Sequence, residues 1–149
     1  EIKPVLYDCV SAGLEPHLTV MVGYPWETKE DMQKTLSFVH ELIRENLIAT
    51  LQATIIIPYP GTPLYKYCKE NGLLLTTDYD RFDQGEPVIK TEITREEIKK
   101  MTRELYRSFL APTVLVKKIS SIRNWNDVKF IIRAGIKLFG HLTDFSKRD

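Results

Sequence analysis

Two apolar runs of strand length limit this chain more than any other feature, because each is cut short by a proline loop and followed at once by a helix signal. Residues 17–23 (HLTVMVG) are apolar and β-branched, and they end in Tyr24-Pro25-Trp26-Glu27, where the proline lacks the amide proton that a strand ladder requires. Residues 50–57 (TLQATIII) form the second run, stopped by Pro58-Tyr59-Pro60-Gly61. Between the runs, Thr28 stands as an N-cap, Glu30 and Asp31 occupy the positive first turn, and Met32, Leu36, Val39, Leu42 and Ile43 recur at helical spacing. After the second run, Thr62 caps another helix. Pro63 takes the first helical position, where a missing N–H is harmless, and Gly72 ends the helix. Strand, helix, strand, helix predicts a βαβα unit, in which two parallel strands are joined by a right-handed crossover.

Around this unit the pattern is helical. Val5, Leu6, Cys9 and Val10, followed by Gly13, predict a short amphipathic helix with a left-handed glycine cap. Residues 76–91 (TTDYDRFDQGEPVIKT) are polar and turn-rich and read as an ordered excursion. Thr94-Arg95-Glu96-Glu97 is a capping box opening a helix whose inner face is Ile98, Met101, Leu105 and Phe109, and Pro112 breaks it. Further helices are expected over 113–121 and from Asn124 or Asn126 to about Leu142. The organisation is therefore 1–75 as the βαβα part, 76–111 as excursion and covering helix, and 112–149 as a helical tail.

Composition matters mainly for what it excludes. At 149 residues, with 43% hydrophobic and 28% charged content, the chain has material for one soluble domain. The net charge of +1 gives no global field for nucleic acid, although residues 1–111 carry −4 and residues 112–149 carry +5. No apolar run approaches a membrane span and no secretory leader opens the chain, so the cytoplasm is the default location. Cys9 and Cys68 lie far apart with no third cysteine, which rules out a disulfide framework and any cluster or zinc spacing and leaves both as packing residues. No metal ligand set and no catalytic residue is assigned. His17 falls at the wrong end of its strand, and His40 and His141 lie on helices without a carboxylate or cysteine at ligand spacing. The start at Glu1, without Met and at the edge of a helical pattern, predicts that the chain is cut from a longer protein.

In a parallel α/β sheet, ligands bind beyond the carboxyl ends of the strands, where loops meet and helix N-termini offer free N–H groups. Both proline loops fall at that end, which points to one site. Leu18, Val20 and Val22, with Leu51, Ala53, Ile55 and Ile57, form apolar faces suited to lie under helices. The opposite faces carry Thr19, Met21 and Gly23, then Gln52, Thr54 and Ile56. These suit either a barrel interior holding a polar ligand or a filled core whose Thr and Gln side chains bond one another.

The run Met21-Val22-Gly23-Tyr24-Pro25-Trp26-Glu27-Thr28-Lys29-Glu30-Asp31 resembles a strand end of radical S-adenosylmethionine (radical SAM) enzymes. Pro58-Tyr59-Pro60-Gly61-Thr62-Pro63-Leu64-Tyr65 is similar to the end of their sixth strand. The nearest likeness is to the branch with a cobalamin-binding domain, in particular to enzymes like the anaerobic magnesium-protoporphyrin IX monomethyl ester oxidative cyclase. It covers residues 1–110, and the tail only in general character. The resemblance implies the C-terminal part of a partial, TIM-like barrel with a helical extension. It also implies a parent enzyme that uses SAM and a 4Fe-4S cluster, with cobalamin in some members, for oxidative cyclisation or methylation of a large organic substrate. The C-x3-C-x2-C cluster motif is absent here, so the chain alone is expected to be inactive and to need the N-terminal half of its parent.

By the same resemblance, Val22, Gly23, Pro25, Trp26, Glu27, Ile57, Pro58 and Tyr59 would flank SAM, with the glycine permitting close approach to the adenine. Glu27 is either an orienting carboxylate or an acid stabilising a helix N-terminus. Trp26 departs from the smaller residue usual at that place. Tyr24 and Tyr59 are either hydrogen-bond donors into the cavity or ordinary tyrosines with a partner in the protein. In the tail, the basic residues interleave with apolar ones, a pattern that fits a solvated covering helix, a partner, or a peripheral membrane surface. A half barrel on its own would self-associate through its open strand edges, whereas the rival reading, a non-catalytic interaction or membrane-surface domain, predicts a complete monomeric fold.

Overall fold

The computed structural model describes residues 2–109 together with Val128, Lys129 and Ile132. In chain order the elements are α1 (Ile2–Ser11), β1 (His17–Val22), α2 (Lys29–Arg44), β2 (Thr50–Ile55), α3 (Pro63–Glu70), a 3-10 turn at Tyr79–Arg81, and α4 (Arg95–Phe109). The helices expected at 113–121 and after Asn124 lie outside the described residues, except that Val128, Lys129 and Ile132 are helical.

β1 and β2 pair in parallel, from His17 opposite Thr50 to Val22 opposite Ile55. Both strands end before the run of apolar residues does. Gly23 turns away at φ +92°, and the Ile56 N–H makes a last bond of 2.9 Å to the Val22 carbonyl before the chain reaches Pro58. The expected βαβα unit is present as a mixed α/β fold with two parallel strands, and among the described residues the sheet does not close into a barrel.

One face of the sheet is covered. α2 begins as the sequence predicts: the Thr28 hydroxyl accepts from the Asp31 N–H, and the Asp31 carboxylate accepts from the Thr28 N–H. Its Met32, Leu36, Val39, Leu42 and Ile43 are buried with Val22, Leu51, Ala53 and Ile55, and α4 adds Ile98, Met101, Leu105 and Tyr106. No described residue covers the opposite face as α2 and α4 cover the first, and Thr19, Met21 and Gln52 are exposed there while Thr54 and Ile56 are half-buried. Thr19 and Gln52 are therefore not members of a filled core.

The two edges of the sheet differ. Along β2, successive peptide groups alternate direction, and Thr50 and Ile56 direct their N–H groups to Pro16 and Val22 on the β1 side. Ala53, three residues from each, faces the outer edge. There the Tyr106 hydroxyl donates to the Ala53 carbonyl at 2.7 Å and accepts from the Ala53 N–H at 3.1 Å. A side chain of α4 thus occupies the place that another strand would take, and at β2 the strand edge expected to be open is taken.

α1 departs from its amphipathic promise. None of its residues is buried, and Val5 and Val10 are exposed, with Leu6 the one apolar side chain of the expected stripe that packs against the core. The helix is held instead by Lys3, which pairs with Glu41 and Glu45 at 2.9 Å each, and by Tyr7, whose hydroxyl donates to Glu45.

α4 is fixed to α2 by an ion pair and its own cap. The Glu97 carboxylate lies 2.6 Å from the Lys29 ammonium and accepts from the Thr94 N–H and hydroxyl, which together hold its pKa down at about 2 against an ordinary 4.5. A carboxyl with a depressed folded-state pKa stabilises the fold above its unfolded value and loses that effect as pH falls toward the folded one. Glu97→Gln is accordingly expected to lower the urea midpoint at pH 7, with the gap to wild type narrowing below about pH 4.5 and closing near pH 2. An equal gap at pH 7 and pH 3 would refute this origin.

The polar stretch after α3 builds a second small core. Phe82, Val88 and Ile89 are buried against Ile57 of the second proline loop and Cys68 of α3. Leu74 and Ile89 form an antiparallel bridge, with Leu75 N–H to Val88 C=O at 2.9 Å and Lys90 N–H to Leu73 C=O at 2.7 Å. Cys68 is fully buried and burial pushes its thiol pKa up, in keeping with a packing role.

Candidate functional site at the carboxyl rim of the sheet

Because the strands are parallel and in register, Gly23 and Pro58 leave the sheet at the same end. The two proline loops are neighbours on one rim, and a ring contact joins them. Trp26 of the first loop meets Tyr67, from the helix that the second loop opens, edge to face at 5.7 Å, and it also meets Tyr24 at 5.5 Å.

The first loop is organised by Glu27. One of its carboxylate oxygens accepts from the Gly23 N–H at 2.5 Å and from the Tyr24 N–H at 3.2 Å, while its own N–H returns to the Tyr24 carbonyl at 3.0 Å. The carboxylate therefore binds the amides that leave β1, directly before α2. Burial raises its pKa, and the nearby Asp31 charge adds to this, against the lowering effect of the two amide bonds. With a raised pKa, stability is lost as pH rises from the unfolded value through the folded one and stays lost above it, so a neutral acceptor of the same shape should serve as well. Glu27→Gln is expected to unfold within about 1 kcal/mol of wild type, whereas Glu27→Ala, which leaves two amides without a partner, should lose about 1–3 kcal/mol. Chemical denaturation of both variants checks this, and equal losses would show that charge rather than amide capping holds the loop.

Gly23 has a structural reason that differs from the expected close approach to a ligand. Its φ of +92° is disfavoured for any residue with a side chain, and a Cβ there would face Ile98 and Ile55, not the open rim.

The other residues singled out in the sequence separate into two groups. Val22 is wholly buried in the main core, and Ile57 and Pro58 are buried, Ile57 in the second core. Their side chains pack inward, and their backbone stands at the rim. Pro25 and Glu27 are half-buried, and Trp26 and Tyr59 are exposed. Both tyrosine hydroxyls have partners in the protein: Tyr24 donates to the Met21 sulfur at 3.8 Å, and Tyr59 donates to the Phe82 carbonyl at 3.3 Å.

Three neighbours were not legible in the sequence. Tyr67 and Met21 join the Trp26 cluster, and the Gln84 amide, on a residue with φ of 64°, approaches the Tyr59 hydroxyl at 3.4 Å. Tyr67 is one of two tyrosines on α3, and Gln84 lies in the polar excursion, so neither stands out by spacing.

His17 is at the amino end of β1, its ring bonded to the Thr50 hydroxyl at 2.7 Å, and His40 is bonded to Ser108 at 2.6 Å. Neither belongs to the rim. A groove of about 690 Å³ follows α2 past Gln33, Ser37 and His40, on the outer side of that helix and away from the strand ends. Among the described residues, no three His, Cys, Asp or Glu side chains come together as a metal site would require, and no helix is long and apolar enough to cross a membrane.

No protein-family model matches the chain. It is similar to an uncharacterized methyltransferase of Pyrococcus horikoshii, at 39% identity over 109 residues, covering 72% of this chain and 23% of that protein. It is also similar to the bacteriochlorophyllide d C-8(2)-methyltransferase of Chlorobaculum tepidum, at 27% identity over 130 residues, covering 79% of this chain and 28% of that protein. The chain thus spans about a quarter of the length of either relative. These relatives correct the cyclase-like assignment, since both are named methyltransferases. The physical reason is visible in the first loop. Gly23, Glu27 and Thr28 serve a turn, an amide cap and a helix start, features that say how a strand ends and not which reaction takes place beyond it. What the chain resembles is therefore a segment of two methyltransferases.

Proposed function

We infer that this chain is one part of a SAM-dependent methyltransferase, in which the rim formed by the two proline loops is one wall of the SAM and substrate site. The observation that carries the reading is the parallel register that sets both loops on one rim beside an uncovered sheet face, in a chain similar to two methyltransferases. In this reading the backbone around Val22 and Gly23 and around Ile57 and Pro58 stands beside the adenine. The Gly23 and Tyr24 amides are already taken by Glu27, so the wall offers carbonyl groups and apolar surface in preference to those donors. Glu27 holds the loop in shape, and its role is positioning.

The finer reading is radical SAM chemistry on a partial barrel. With the outer edge of β2 taken by Tyr106, β2 would be the last strand, and further parallel strands would join along β1 and curve round the bare face as a partial, open barrel. Those strands would come from a neighbouring part of a longer polypeptide, in keeping with relatives about four times the length of the matched segment. A 4Fe-4S cluster does not fit the residues present. Cys9 lies on α1, Cys68 is buried in the second core, and there is no other cysteine. The cluster, and cobalamin where it is used, would be held by that neighbouring part.

The reading is tested on the full-length protein. Equilibrium dialysis with methyl-labelled SAM should show saturable binding, and failure to bind would remove the methyltransferase reading. Under anoxic, reducing conditions, release of 5′-deoxyadenosine from SAM would support the radical version. Methyl transfer with no such release, in the presence and absence of reductant, would leave an ordinary methyltransferase.

A further inference from the structure

Trp26 is 61% exposed although two other rings touch it, and Tyr67 and Met21 are 43% and 46% exposed beside it. None of Met21, Tyr24, Trp26 and Tyr67 belongs to either buried cluster, so their apolar surface does not serve the cores. Three separate elements bring them together: Met21 comes from β1, Tyr24 and Trp26 from the first loop, and Tyr67 from α3. The rings support one another, Tyr24 lying at 30° to Trp26 and Tyr67 at 76°. Such mutual packing holds a flat indole in place at little further loss of conformational freedom when something covers it.

The size of the patch narrows the choice of occupant. Those fractional exposures, applied to aromatic and similar side chains of 150–250 Å² each, leave roughly 300 Å² open. A stable protein partner needs about 800 Å² on each side. The patch matches the face of a multi-ring small molecule, and it is continuous through Met21 with the bare face of the sheet.

We propose that Trp26, supported by Tyr24 and Tyr67, is a stacking platform for a flat, conjugated ring system in the methyl-accepting substrate. This rests on the rim being the substrate end of a methyltransferase. Trp26 then determines specificity: a flat ring gains offset or edge-on stacking against the indole, and a saturated ring of the same carbon skeleton gains only the area term.

The test uses the full-length protein and two probes, anthracene-2-carboxylate and its fully saturated analogue, in equilibrium dialysis. The flat probe should bind about tenfold more tightly than the saturated one, Trp26→Ala should weaken it about tenfold, and Trp26→Phe, which keeps a flat ring, should restore most of the binding. Tyr67→Ala should give a smaller loss, because it removes support and not the platform. Equal binding of both probes, or unchanged binding in Trp26→Ala, overturns the platform. SAM binding by the wild-type protein, measured in parallel, separates the two ideas. If SAM binds and the flat probe shows no preference, the platform falls and the methyltransferase reading stands. If the probe behaves as expected and SAM does not bind, the methyltransferase reading falls, and with it the assignment of the ring as a methyl acceptor.

Discussion

Tyr106→Phe is expected to destabilise the protein by about 1–3 kcal/mol, the range for leaving buried backbone groups without partners. The side chain is 2% exposed and its hydroxyl serves both polar groups of Ala53, so losing one oxygen orphans a donor and an acceptor together. Burial also raises the phenol pKa, against the lowering effect of the Ala53 N–H, which keeps the proton that the carbonyl needs in place throughout the neutral range. Phenylalanine preserves the ring packing among Leu105, Ile98 and the sheet, so the change isolates the hydrogen bonds from the cavity effect. Urea denaturation measures the loss, and hydrogen exchange locates it, since the Ala53 amide should lose protection more than its neighbours. A Phe variant as stable as wild type, with Ala53 still protected, would mean the edge is satisfied in another way. Tyr106→Ala adds a cavity and should bring the loss to about 3–5 kcal/mol. By unmasking the edge of β2 it should also promote concentration-dependent association, visible in light scattering.

The second large effect is at Gly23. An alanine there meets nothing closer than 3.5 Å, an ordinary contact with Ile98, so its penalty comes from the backbone. Holding a residue with a Cβ at φ +92° should lose about 1–2 kcal/mol. Valine places further methyl groups against Ile98 and Ile55 and adds about 1–3 kcal/mol of overpacking. The order of stability should be Gly, then Ala, then Val, read from denaturation midpoints. If a ligand's approach were the reason for the glycine, alanine would be tolerated in the free protein and would weaken SAM binding alone. That pattern would reverse the present account of this position.

The two predictions differ in how visible their residues were beforehand. Gly23 announces itself, because a glycine between an apolar strand run and a Pro-Trp-Glu turn marks a change of backbone direction that local chemistry requires. Tyr106 does not. It follows Leu105 on a helix whose predicted inner face was Ile98, Met101, Leu105 and Phe109, and nothing within the helix says that its hydroxyl will meet a strand more than fifty residues earlier. The same contrast holds at the rim. Thr28, Thr62 and Thr94 were legible as caps because their partners lie three residues away. Tyr67 was not legible as a neighbour of Trp26, because that contact depends on how α3 settles beside the first loop. The α1 stripe fails for a related reason: periodicity describes which residues share a face, and says nothing about whether a neighbour will cover it.

Local sequence by itself determined the strands, the helix starts and ends, and the parallel crossover that sets both proline loops on one rim. These follow from interactions a few residues long: proline's missing proton, a threonine oxygen within reach of an amide, an apolar residue at every third or fourth place. Tertiary structure alone decided that α4 seals one edge of the sheet, that one sheet face stays bare among the described residues, and that Glu27 spends its carboxylate on the amides of its own loop. It also decided which aromatics of the rim stand open. Each of these depends on groups distant in the chain competing for the same space or the same hydrogen bond, and the winner is set only when the elements pack.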